Sequence, residues 1–72
     1  MKYITKFKLA SIHKWCDAED KSTEYMYQLM QDMCKVDSDT VNNYFMLSDK
    51  EKTKLFKELM DLLQTIQEIS NI

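Results

Sequence analysis

The chain has 72 residues, 12 acids against 10 basic residues that are all lysine, and neither glycine nor proline. That length allows one domain, residues 1–72, with a small core whose stability gains from a partner or a second copy. Without glycine no phosphate-cradling loop or dinucleotide fingerprint can form, and without arginine the bidentate contacts that read base edges are missing, which excludes nucleotide enzymes and weighs against sequence-specific nucleic-acid readers.

An apolar fraction of 44%, with three Phe, four Tyr and one Trp, is that of a folded chain rather than a disordered one. No run approaches the roughly 18 apolar residues of a membrane span. The opening MKYITKFKLA has no leader pattern, so Cys16 and Cys34 are expected as reduced thiols in a cytoplasm, that of the host cell if the protein is viral. Charge is divided unevenly: residues 1–15 hold Lys2, Lys6, Lys8 and Lys14 with no acid, whereas residues 16–39 hold seven acids against Lys21 and Lys35.

The basic segment 1–10 has two readings. As a strand, KYITKFKL places Tyr3, Thr5, Phe7 and Leu9 on one face with Lys2, Ile4, Lys6 and Lys8 on the other. No second strand is visible to pair with it, so tertiary context could impose helix or irregular backbone instead.

Over residues 11–36 the spacing predicts a long helix or a helix pair. Ile12, Trp15, Glu19, Ser22, Met26, Leu29, Met33 and Val36 alternate at three and four, a heptad-like register interrupted only at Glu19 and Ser22. Either the helix breaks there, with Ser22 or Thr23 capping a second one, or it runs through as a polar layer; continuity is the reading adopted from the register.

A short helix is expected over 39–46, opened by the capping types Asp37, Ser38 and Asp39 and carrying Val41, Tyr44 and Phe45 inward. Over 48–70 the SDKE pattern, Ser48 with Glu51, announces a capped helix. Its stripe of Leu55, Leu59, Leu62, Ile66 and Ile69, flanked by Phe56, Met60 and Leu63, is wider than one packing partner requires. It is read either as buried between two neighbours or as partly an external interface. The fold class is therefore all-α, a small antiparallel bundle of three helices, or four, in which the first and last pack antiparallel. The missing glycines remove the residue that ordinarily makes Schellman caps, so Asp, Asn and Ser turns are expected between helices.

Candidate chemistry is thin. His13, Cys16, Asp17 and Asp20 share roughly one flank of a helix, but one histidine and no paired cysteines fall short of a structural zinc set. A Cys and His pair three residues apart on one helix offers no oxyanion site, and Asp17 with Asp20, or Glu58 with Asp61, reads as solvated surface rather than acid–base machinery. No catalytic, cofactor or metal residue is assigned.

Binding is the better-supported expectation. Methionine and tyrosine are abundant, and both suit partner surfaces. The candidate partner-binding residues are Tyr3, Lys6, Phe7, Lys8, Trp15, Tyr25, Tyr27, Met30, Phe56 and Met60. In composition the chain is similar to small proteins encoded by phages and other AT-rich mobile elements, a likeness that rests on no motif. The expected function is a non-enzymatic regulator that occludes a surface of a host or cognate protein, with homodimerisation as an accompanying option. The alternative is a dimeric nucleic-acid-binding regulator in which lysines of the first segment meet phosphates and Tyr3 and Phe7 stack on bases, although the acidic remainder opposes it. A self-assembling structural protein is a third reading.

Overall fold

The computed structural model describes residues 1–70. They form four helices and no strand: α1 Tyr3–Ala18, α2 Thr23–Cys34, α3 Ser38–Phe45 and α4 Asp49–Ser70. The all-α class is thus established, and residues 3–10, for which a strand remained open, are helical. A lone strand would have left its ladder groups unpaired, whereas a helix satisfies its own.

The continuous helix expected over 11–36 is corrected to two helices, with the break at the two polar positions of the register. At the end of α1 the Asp20 backbone is left-handed, φ 55°. The Lys21 amide donates to the Cys16 carbonyl at 2.9 Å and the Asp20 amide to the Asp17 carbonyl at 3.2 Å. This is the paired bonding of a Schellman cap, built on aspartate instead of glycine. Ser22 then caps α2, its Oγ accepting from the Tyr25 amide at 3.2 Å. Two caps facing each other across three residues outweigh the few apolar contacts a continuous seam would have made through Glu19 and Ser22. A second left-handed residue, Lys35 at φ 53°, ends α2, with the Val36 amide donating to the Gln31 carbonyl. Absence of glycine therefore does not remove such caps; it makes each one cost about 1–2 kcal/mol of backbone strain, less for aspartate than for lysine.

The other starts follow the predicted signals. Asp37 caps α3, its Oδ1 accepting from the Thr40 amide at 2.9 Å and the Thr40 hydroxyl at 2.7 Å. These bonds hold the Asp37 carboxyl below its ordinary value, the side-chain bond contributing most. Ser48 caps α4 through the Glu51 amide at 3.2 Å.

Each helix contributes to one core of Leu9, Ala10, Cys16, Met26, Met30, Val41, Tyr44 and Leu55. α1 and α2 lie antiparallel, Trp15 lining a hollow with Tyr25, and Phe7 with Met33 and Cys34. Lengthwise antiparallel packing belongs to this pair rather than to the first and last helices. α4 packs on α1 in the same sense: Glu51 to Glu58 lie by Tyr3 and Lys6 near the start of α1, and Leu59, Met60 and Leu63 lie by Lys14, Trp15 and Ala18 near its end. Asp61–Ser70 are all exposed, although Leu63 still lines a hollow with Trp15 and Ala18.

Leu9→Ala, at a fully buried site, is expected to cost about 2–5 kcal/mol of unfolding free energy, a large part of what so short a chain has. Ile69→Ala on dilute protein is expected to stay within about 0.5 kcal/mol. Lys35→Gly should stabilise by about 0.5–1 kcal/mol by relieving the left-handed lysine. Denaturant unfolding of the three variants checks all of these values.

Candidate functional site

Two polar or aromatic assemblies stand out, and only one of them faces solvent. The inner one gathers around His13. Its Nδ1 lies 2.8 Å from the Tyr44 hydroxyl, and its Nε2 lies 3.5 Å from an Asp17 carboxylate oxygen. The imidazole sits edge-on among Tyr44, Phe45 and Phe56, with ring centroids at 5.7, 5.4 and 5.4 Å. Lys14 caps the Phe56 ring at 4.8 Å, and Lys52 donates to the Phe45 carbonyl at 2.7 Å. The neutral tautomer with its proton on Nε2 fits both polar contacts, accepting from Tyr44 and donating toward Asp17.

Burial lowers the His13 pKa; Asp17 opposes the shift, while Lys52 and Lys14 reinforce it. Burial likewise pushes the Tyr44 phenol upward, so Tyr44 remains a donor. The assembly is a satisfied polar link in an aromatic core. Among the described residues no buried side-chain nitrogen or oxygen lacks a hydrogen-bond partner.

The flank of possible ligands does not converge. Cys16 is fully buried, Asp17 is exposed, and Asp20 has left the helix through its left-handed turn. Burial pushes both thiols, Cys16 and Cys34, above their ordinary range, so neither presents thiolate at neutral pH. Among the described residues no three His, Cys, Asp or Glu side chains form a metal-sized cluster.

The outer assembly is apolar and continuous. Two adjoining hollows of about 350 and 480 Å³ lie between α1 and α2 and share Ser11, Ile12 and Met33. Trp15, Tyr25 and Leu29 line the first; Ile4, Phe7, Lys8 and Cys34 line the second. A third hollow, formed by Lys14, Trp15, Ala18, Leu59, Met60 and Leu63, shares Ser11 and Trp15 with the first. From Leu63 the surface runs onto Ile66 and Ile69. Trp15 is 47% exposed at the junction, and Met33 reaches 66%. Lys21 lies 5.8 Å from the Trp15 ring and 5.2 Å from that of Tyr25.

Of the ten partner-binding candidates, the fold brings Phe7, Lys8, Trp15, Tyr25 and Met60 onto this face. Tyr3 and Lys6 lie apart, in a charged hollow with Glu51, Lys54 and Glu58. Tyr27 stacks on Phe45 at 5.1 Å, and Phe56 belongs to the His13 cluster. Met30 is corrected: it is fully buried and belongs to the core. Ile4, Ile12, Leu29, Met33 and Leu63 were not among the candidates. Their signal was present in the heptad-like register and the wide C-terminal stripe, but only the break after α1 decides which members of the register stay outside.

No protein-family model, curated protein sequence or solved structure matches the chain. No helix among the described residues is long and apolar enough to cross a membrane.

The lowered His13 pKa has a definite consequence for acid stability. Above the ordinary value of 6.5 both folded and unfolded chains hold a neutral imidazole. Below it the unfolded chain takes up the proton first, so stability falls with falling pH until the folded pKa is reached. Thermal unfolding between pH 7.5 and 5 is expected to show this decline, and His13→Gln should flatten it.

Proposed function

We propose that the protein is a non-enzymatic binding module that engages another protein through the apolar face centred on Trp15. What supports the reading is that large apolar side chains left exposed, among them Ile4, Trp15, Tyr25, Met33, Leu62, Leu63 and Ile66, outnumber those in the core. A soluble monomer seldom leaves a contiguous apolar surface of that extent bare, and such patches mark interaction sites. Trp and Tyr at the centre, with methionine at the margins, match the composition of interface hot spots. Lys8, Lys14 and Lys21 around the patch would set orientation and association rate rather than bulk affinity.

The mechanism is occlusion: the face covers a complementary apolar surface and thereby blocks it. The compositional likeness to small phage-encoded proteins fits a regulator that inhibits a host protein in this way.

Immobilised protein is expected to retain a specific partner from lysate of its native host. Trp15→Ala and Tyr25→Ala, both at exposed positions, should each weaken retention at least tenfold with helicity unchanged. Addition of the purified partner should move the emission of Trp15, the single tryptophan, to the blue. Retention of DNA at low salt that disappears at physiological salt, with no protein partner, would sink this reading in favour of nucleic-acid binding.

A further inference from the structure

We propose that the groove along the outer side of α1 receives an amphipathic helix of the partner protein, one whose apolar stripe is flanked by acidic residues. This rests on the reading above that the apolar face binds another protein, and it adds the chemistry of the segment bound.

Shape selects a helix. Ile4, Phe7, Ser11, Trp15 and Ala18, at spacings of three and four, form one stripe on α1 about 21 Å long. Hollows open on both sides of it, of about 350 and 480 Å³ toward α2 and about 440 Å³ toward α4. Ser11 lines all three, so the two sides join across a small side chain. Its hydroxyl already donates to the Phe7 carbonyl at 2.8 Å, which leaves the floor apolar. A concave apolar groove about four helical turns long fits the convex stripe of a helix. Strand addition needs a sheet edge, and the described residues form no strand. A flat lipid surface meets the rim of such a groove rather than its floor.

Charge selects acids. Acids outnumber lysines in the chain, 12 to 10, yet no Asp or Glu lines any of the three hollows. Lys8 and Lys14 fall on opposite edges of the α1 stripe, Lys8 lining a hollow toward α2 and Lys14 the one toward α4. The Lys21 ammonium lies over the Trp15 and Tyr25 rings at 5.8 and 5.2 Å. Neighbouring acids are placed elsewhere: Asp17 lies against His13, Asp32 accepts from Gln28, and Glu19 and Asp20 follow the end of α1. Among the described residues no lysine pairs with a carboxylate. Acidic flanks on the bound helix would meet these lysines, choosing the partner and speeding its approach while the apolar stripe supplies the affinity.

A displayed library of helices of roughly 18 residues, apolar along one stripe and carrying Glu, Gln or Lys on the flanks, tests this against the immobilised full chain. Selection should enrich Glu on both flanks, and a synthetic peptide of the enriched sequence should move Trp15 emission to the blue as it saturates. Replacing that peptide's flanking Glu by Lys should weaken binding about tenfold or more. Lys8→Glu with Lys21→Glu, both at exposed positions, should reverse the flank preference from Glu to Lys with helicity unchanged. A selection no richer on the natural chain than on Trp15→Ala, enriched helices without acidic flanks, or a preference unmoved by the charge exchange would each overturn the inference. So would a blue shift of Trp15 on phosphatidylserine vesicles with no helix selected, which would assign the face to a membrane surface. A host protein retained through Trp15 that offers no acidic helix would overturn it while leaving the proposed function standing.

Discussion

Helix length is the constraint from which most of this structure follows. α4 has 22 residues and α1 has 16, about 33 and 24 Å. α1, the next longest helix, is too short to cover α4 along its whole length. The surplus at its C-terminal end is apolar on one side, so the chain buries a compact core at one end and exposes a ridge at the other. The overall extents of 42 × 23 × 21 Å record that asymmetry.

What makes α1 short is the turn at Asp20. A glycine-free chain has to accept a non-glycine residue in the left-handed region if it is to reverse direction tightly, and aspartate tolerates it better than most. The reversal places α2 antiparallel on α1 and brings Met26 and Met30 into the core. The same reversal turns Trp15, Tyr25 and Met33 outward onto one surface. Core and exposed face are thus two products of one turn, and neither could change without the other.

Much of this was legible in the sequence, for reasons particular to each element. Ser48 and Asp37 announced their helices because a capping side chain acts within three residues and owes nothing to the rest of the fold. The break between α1 and α2 was visible as Glu19 and Ser22 falling on seam positions, but the heptad-like register argued the other way. Deciding between them required the energy of two caps against that of a gapped seam, which local pattern does not reveal. Met30 was misjudged for a related reason: a methionine at a given register position is core or surface according to what packs over it, and Met30 is fully buried in the folded chain. His13 was the opposite case. Considered as a ligand or base beside Cys16, it instead pairs with Tyr44, thirty-one positions away, a contact that no spacing along α1 could announce.

The position of His13 also separates the two halves of the molecule physically. Its ring joins α1 to α3 through Tyr44 and to α4 through Phe56, ahead of the point where α4 leaves the body. Hydrogen bonds among buried aromatic and polar groups are strong where water is excluded, and they fix a single arrangement. The ridge is consequently held at a defined angle to the groove by the neutral His13, Tyr44 and the aromatic rings around them. A surface built from methionine and leucine adapts easily to what it meets, and adaptable surfaces gain affinity when their frame is rigid. In this chain the rigid frame and the adaptable surface meet along α1, where His13 faces inward and Trp15, two residues later, faces out.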